Sequence, residues 1–210
     1  MASEKFQNDI TRHLETRGIS QSVAKQVAEL LDAFLEFRVE GGSEDDFDAY
    51  VCFAFGNKPD EFANLQPGEL NETLARIVKD KYKNKRKPII TQWEIGELLN
   101  KEPDIDQKDI ESYGQDFDKV FGKPIYQSTK SFLDKVARKD RSTPIKRLFV
   151  VAQWFHYARC VQEVKNAGFE VVVDQDAMPK DFCTKCFGQL WTSSEERFVL
   201  HTLIGSLNRY

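Results

Sequence analysis

Two methionines, three tryptophans, three histidines and four cysteines are all that these 210 residues contain of those types. With sixteen phenylalanines beside two methionines, the core has to be built on rigid aromatic rings. Apolar runs are short. Even 148–154 falls far below the roughly 20 residues needed to cross a bilayer. There is no excess of positive charge, because 30 Lys and Arg face 34 Asp and Glu, for a net charge of −4. That balance argues against a dedicated nucleic-acid binder, which carries a basic face. The chain also lacks a Gly-rich phosphate loop, a His-Glu-x-x-His metal motif and a Gly-x-Ser-x-Gly elbow, so nucleophilic catalysis has no candidate beyond a loop serine. The opening stretch MASEKFQNDITRHLE has no apolar segment of the secretory kind. The expectation is a cytoplasmic protein that does not enter membranes. Its four cysteines should then be reduced thiols, metal ligands or redox groups rather than structural staples.

What is present is globular composition. Hydrophobic residues at 40% and charged residues at 30% exclude a disordered chain and suffice for one core of ordinary size. The first forty residues read as two helices. Phe6, Ile10 and Leu14 recur at fourfold spacing before Gly18, and Ser20 or Ser22 opens a second stripe of Val23, Val27, Leu30, Leu31, Phe34 and Leu35. Glycines 41 and 42 break that pattern, giving a predicted N-terminal helical hairpin over 1–42, packed on a main domain over 43–210.

Beyond residue 43 the period changes. Residues 50–55 form a short continuous apolar run ended by Gly56, the mark of a strand buried on both faces. A helix with Leu70, Leu74, Ile77 and Val78 inward follows Pro67, and ends in six basic residues between 79 and 87. Residues 88–91 read as a second strand, 94–99 as a helix, and the Asp-rich stretch after it as a polar connection. A third strand is predicted over 123–127, with a helix carrying Phe132, Leu133 and Val136 behind it. The clearest unit is strand 147–152, helix 155–167, Gly168 as its C-cap, and strand 169–173. Its joints of about two residues suit a parallel crossover. Ser193 with Glu196 makes a capping box for a terminal helix bearing Phe198, Val199, Leu203, Ile204 and Leu207. Alternation of this kind predicts an α/β fold with a doubly wound, mostly parallel, Rossmann-like sheet.

Open parallel sheets bind ligands outside the carboxyl ends of their strands. Those ends are predicted at Gly56 and Asn57, at Gln92 and Glu94, at Ser128, Thr129 and Ser131, and at Gln153, His156 and Arg159. His156 and Arg159 stand three apart at the start of one helix and face the same way. A helix start attracts anions through free N–H groups and its dipole, and a guanidinium with an imidazole there suits a phosphate or carboxylate. The structural alternative is that Arg159 pairs with a surface acid while His156 caps the helix or fills the core.

The stretch LFVVAQWFHYARC at 148–160, running on to Ala167, Gly168 and Phe169, resembles the YdcF/SanA/ElyC-like domain family in its strand, its His-x-x-Arg and its Gly before the next strand. Residues 48–57 are similar to that family's first strand and Gly-containing loop, Arg76 stands where the family carries an Arg, and 88–91 takes the place of its second strand. Residues 125–134 align with its Ser-x-Asn-Thr-x-Glu-Asn segment through Ser128 and Ser131, with Lys130 and Leu133 at the Asn and Glu places. Gln92 and Trp93 replace its Gly-Gly. The resemblance implies a Rossmann-like domain of loosely defined activity, linked to envelope functions where the family is membrane-anchored, and places this chain with the soluble members.

Cys183 and Cys186 form a lone Cys-x-x-Cys, and with His156 and Cys160 they make up a Cys3His set of the kind that holds tetrahedral zinc. Small thiols with no metal are the alternative. The basic run at 79–87 reads as a solvated helix end, where the dipole favours cations, rather than an RNA contact. Together these readings predict binding of a small anionic or nucleotide-like ligand at the carboxyl edge, with hydrolase or transferase chemistry left open and no cofactor specified. Arg159 holds the anion, His156 donates a hydrogen bond or shuttles a proton as the catalytic residue, and Ser128, Ser131, Asn57, Gln92 and Glu94 position the ligand. The competing reading is a non-catalytic interaction module stabilised by the Cys3His zinc site of His156, Cys160, Cys183 and Cys186.

Overall fold

The strand β1 (Ala49–Cys52) is buried at every position, as expected of a run with no polar alternation. A computed structural model describes residues 4–35, 39, 42, 46–59, 65–114, 116–117, 124–125, 127–186 and 189–207, with the side chains at 4–6, 30–35, 116–117, 124–125 and 203–207 outside the description. The chain divides into two compact units, Met1–Arg38 and Val39–Tyr210. The first is a hairpin of α1 (Glu4–Thr16) and α2 (Gln21–Leu35), which pack side by side. Gly18 turns between them at φ 83°, and Ser20 stands just before α2, its carbonyl accepting from Ala24 N at 2.9 Å. Phe6, Leu30, Leu31, Phe34 and Leu35 of the predicted stripes fall outside the described side chains.

The second unit is a doubly wound, Rossmann-like α/β domain. In chain order it comprises β1, β2 (Asn57–Pro59), β3 (Leu65–Pro67), α3 (Glu69–Asn84), β4 (Ile89–Gln92), α4 (Trp93–Leu99), β5 (Ile110–Tyr113), β6 (Asp116–Phe117) and β7 (Pro124–Ile125). It continues through α5 (Thr129–Arg138), β8 (Arg147–Val151), α6 (Trp154–Asn166), β9 (Glu170–Val172) and α7 (Glu195–Leu207). Five strands form the main sheet in the order β5-β4-β1-β8-β9, parallel at every junction. Tyr50 stands between Ile89 on one side and Phe149 on the other. From β1 the chain winds outward through β4 to β5, then returns to β8 and winds outward to β9. Right-handed crossovers therefore put α3 and α4 on one face and α5 and α6 on the other, and each pair packs together.

One predicted strand is corrected. Residues 123–127 do not supply the third strand of the sheet. Only 124–125 are strand among the described residues there, and they pair antiparallel with β6 in a separate ribbon. The sheet's third strand is β5, inside the stretch read as a polar connection. β5 lies at the sheet edge with no position fully buried, so its sequence IESY carries no continuous apolar signal. The small antiparallel ribbon β2–β3 was also unsignalled, because a proline stands in each strand.

Burial follows the helix stripes. Leu70, Leu74, Val78 and Tyr82 of α3, Phe132, Leu133 and Val136 of α5, and Tyr157, Cys160, Val161 and Val164 of α6 all belong to one core with the strands. Each such side chain contributes about 1.5–3 kcal/mol by leaving water. Tyr157 also bridges, donating through its hydroxyl to Val150 O at 3.0 Å and accepting from Asp174 N at 3.1 Å. Terminal helix α7 starts one residue later than the capping box implied. Ser194 is its cap, with its Oγ accepting from Arg197 N at 3.3 Å, while Ser193 donates back to Leu190 O.

Candidate functional site

The carboxyl ends of β1 and β8 meet where the crossovers change direction, the place where doubly wound sheets open a ligand crevice. In such folds the amides after the first strand point into that crevice. Here three successive amides are already taken by carboxamide side chains. Ala54 N donates to Gln92 Oε1 at 2.9 Å, Phe55 N to Asn71 Oδ1 at 2.8 Å, and Gly56 N to Gln189 Oε1 at 3.2 Å. Asn71 completes a two-point clamp by donating from Nδ2 to Gly56 O at 2.6 Å. Gly56 is required here: its φ is 83°, and a Cβ would stand 2.7 Å from Cys186 Sγ.

The amides at the start of α6 are also occupied, which corrects the expectation of free N–H groups there. Gln153 caps the helix, its Oε1 accepting from Phe155 N at 2.8 Å and His156 N at 3.0 Å, and Trp154 N donates to Pro179 O at 2.9 Å. Gln153 Nε2 in turn reaches the carbonyls of Lys180 and Asp181. Two C-terminal stretches, 179–186 and 189–192, thus cross the carboxyl edge. They bring Phe182 and Trp191 onto Phe55, at ring separations of 6.0 and 5.3 Å. Any anion in this region must be held by side chains rather than by a bare helix start.

Among the described residues, His156 and Arg159 are predicted site residues here with an unpartnered buried nitrogen. His156 is buried, its ring packed against Phe55, Trp191 and Phe198. Its Nε2 lies 3.4 Å from Thr129 Oγ1, with the donor set by the tautomer, and its Nδ1 is buried with no partner. Burial, and then the nearby charges of Arg159 and His201, bring its pKa down to about 3, so the ring is neutral at physiological pH. Arg159 is half-buried. Its Nε is shielded from water and unpartnered, and among the described residues no hydrogen bond or ion pair reaches its guanidinium. His201, stacked on Trp191 at 5.1 Å, has its own pKa lowered by burial and then by Arg159.

The structure gathers the other predicted site residues in two groups. Ser128 and Ser131 sit at the start of α5, beside Thr129 and so beside His156, but their hydroxyls are used in capping. Ser128 Oγ accepts from Ser131 N at 3.1 Å, and Ser131 Oγ donates to Ser128 O at 3.0 Å. Gln92 is engaged by Ala54 N and by Gln127, whose carbonyl accepts from its Nε2 at 3.3 Å. Asn57 and Glu94 form the second group, on the α3–α4 side of the edge. Sequence reasoning missed Gln127, Asn71, Gln189 and His201. Asn71 alone carried a signal, as a buried amide in the first turn after a loop.

Glu94 is 5% exposed, and burial pushes its carboxyl up to about 7, against a smaller lowering by hydrogen bonds from its own backbone and from Asn57. Its protonation therefore bears on stability. Between its ordinary value of 4.5 and about 7 the folded protein keeps a proton that the unfolded chain releases, so stability falls as pH rises through that window. A Glu94→Gln variant should lose this slope of about 1.4 kcal/mol per pH unit. Urea denaturation at pH 5, 6 and 7 reads it, and parallel profiles for variant and wild type would refute it.

The zinc arrangement does not assemble. Cys160 faces the core, whereas Cys183 and Cys186 are bonded to each other as a disulfide against Gly56 and Gly68. Among the described residues no group of three or more His, Cys, Asp or Glu is placed to hold a metal ion. The pairing fits the redox alternative among the three expected for the cysteines rather than the reduced-thiol one, and a loop of four residues cross-links no distant elements. In the basic run, Lys79, Lys81 and Lys83 each meet a carboxylate, of Glu102, Asp174 and Asp80, with Lys79 and Lys81 largely covered and Lys83 exposed. Among the described residues no helix is long and apolar enough to cross a membrane. Comparison with protein-family models, with curated proteins and with solved structures returns no match.

Proposed function

We propose that this protein binds a small anionic, nucleotide-like ligand at the carboxyl edge of its sheet, with Arg159 as the anion-holding group. One observation carries the reading: a half-buried guanidinium without a partner, beside a buried neutral histidine whose Nδ1 is also unpartnered. Buried polar groups in native proteins are nearly always satisfied, Nε of Arg159 is such a group without a partner among the described residues, and a partly desolvated guanidinium favours a counter-charge. A phosphate or carboxylate supplies one, and the neutral His156 offers it a hydrogen bond rather than a proton at physiological pH. Thr129 holds the far side of that ring. Ser128 and Ser131 act through the α5 cap, which sets where Thr129 stands. The likeness of 148–169 to the YdcF/SanA/ElyC-like pattern is part of the same proposal, since its His-x-x-Arg is the pair that meets here. Hydrolase or transferase activity would need a group able to move a proton, and Glu94 answers that description better than His156.

A charge-assisted hydrogen bond to Arg159 contributes roughly 1.5–3 kcal/mol. Titration with inorganic phosphate and pyrophosphate should accordingly show binding weakened on the order of tenfold to a hundredfold in Arg159→Ala. The melting temperature should barely change, because the side chain has no partner to lose. Equal affinity of the variant and the wild type for these anions, or no binding by the wild type, would overturn the reading. The competing one, a non-catalytic interaction module, draws on the occupied amides of Ala54, Phe55 and Gly56. A wild type indifferent to every anion would favour it.

A further inference from the structure

Glu94 and Asn57 pose a second, separate problem of unpaired atoms. Asn57 is the first residue of β2, just after the loop that follows β1, and Glu94 lies in the first turn of α4, just after β4. Both are 5% exposed. The Asn57 side chain hydrogen-bonds Glu94, yet Glu94 Oε2 and Asn57 Oδ1 are each buried with no donor among the described residues. Leaving one such oxygen unsatisfied costs about 1–3 kcal/mol. With the carboxyl ionised, the two residues present a pair of acceptors that no donor among the described residues reaches.

We infer that Glu94 and Asn57 form a subsite for the vicinal hydroxyls of a ribosyl or similar sugar group. Three features select that chemistry. Two acceptors on neighbouring residues match two O–H donors on adjacent carbons, while a single donor would satisfy only one of them. Burial disfavours a full negative charge on this carboxyl, which suits an uncharged hydroxyl better than an ammonium, because a hydroxyl can donate to the ionised oxygen or accept from the protonated one. The position is also the one at which doubly wound sheets place a carboxylate for ribose, at the carboxyl end of the strand beside the first. β4 and β8 are separated only by β1, two strand spacings, on the order of 10 Å. A sugar at Glu94 and an anion at Arg159 then belong to one ligand, a sugar phosphate or a nucleotide. That last step rests on the anion reading above, whereas the diol subsite itself does not.

Matched probes test the two separately. Wild-type protein is titrated with adenosine 5′-monophosphate and its 2′-deoxy and 3′-deoxy forms, with adenosine and 2′-deoxyadenosine, with phosphoethanolamine, and with inorganic phosphate. Loss of one hydroxyl should weaken binding about tenfold, the equivalent of about one hydrogen bond. In Glu94→Met, which removes both carboxylate oxygens at similar length, the ribo-to-deoxy ratio should fall to about one while affinity for inorganic phosphate is unchanged. Equal binding of ribo and deoxy forms by the wild type overturns the subsite, even if phosphate binds through Arg159. A ribo preference for adenosine without any phosphate binding supports the subsite and removes the anion reading. A ribo preference that survives in Glu94→Met overturns the assignment to Glu94, and stronger binding of phosphoethanolamine than of the nucleotide overturns the diol in favour of an amine. The wild-type comparisons stand even if the variant does not fold.

Discussion

Replacing Phe55 by alanine is expected to lower stability by about 3–5 kcal/mol, the usual cost of emptying a buried aromatic site. Phe55 has no exposed surface, and its ring touches those of His156, Phe182, Trp191 and Phe198 at centroid distances of 5.3–6.1 Å. It is therefore the hub on which the C-terminal stretches rest, and the cavity left behind would be lined by side chains from four separate segments. The backbone clamp from Asn71 would hold the loop in place and limit collapse of the void, which argues for the upper part of the range. Trp191 reports directly on the change. Urea denaturation followed by tryptophan fluorescence should show the midpoint falling sharply. A loss under about 1 kcal/mol would mean that the aromatic cluster contributes little to holding the carboxyl edge together.

The second large effect is acid sensitivity centred on His156. Its pKa is about 3 in the folded protein against an ordinary value of 6.5. Above 6.5 neither state binds the proton, and the full stability is present. Below it the unfolded chain takes up a proton that the folded one refuses, so stability is lost as pH falls toward 3. The slope is about 1.4 kcal/mol per pH unit, and the whole effect is on the order of 5 kcal/mol. Carboxylates contribute their own acid sensitivity at the lower end, so the informative window is pH 6.5 to 5. There the wild type should lose stability by one proton's slope more than His156→Phe, which fills the same aromatic nest without titrating. Identical slopes for the two proteins in that window would show that His156 is not held neutral by its surroundings. Arg159 and His201 are the charged and titratable neighbours that share this effect, and Thr129 is the polar contact that fixes the ring.

The centre of the fold was legible because its strands are buried on both faces. Residues 50–55, 147–152 and 169–173 are short apolar runs with helices between them, and they pair in parallel as that pattern requires. β5 was not legible, because an edge strand half in water has no such run, and IESY reads as part of the connection around it. The predicted strand at 123–127 failed for a related reason: a few apolar residues between turn formers suit a small ribbon as well as a sheet strand. Strand-end logic brought His156 and Thr129 to one place and Asn57 and Glu94 to another. It could not foresee that Gln92, Asn71 and Gln189 would close the loop after β1. Carboxamides are ordinary in loops, and their partners here are backbone amides as far as 133 residues away.

That longest of the three contacts also dates the carboxyl edge in the life of the chain. At a synthesis rate of roughly 5–20 residues per second, Gln189 reaches the ribosome's exit on the order of ten seconds after Gly56. Until β8 emerges at residues 147–151, β1 can pair only with β4, so the future central strand is for a time a hydrophobic edge of the kind that recruits other chains. The loop meanwhile has one amide still hydrated and its phenylalanine uncovered. Nascent chains stalled between residues 113 and 147 hold β5, β4 and β1 with β1 still an open edge, and those stalled between 172 and 189 have the whole sheet with its aromatic end uncovered. The seal over this edge thus comes later in synthesis than the sheet it covers, since Gln189, Trp191 and Phe198 all follow β9.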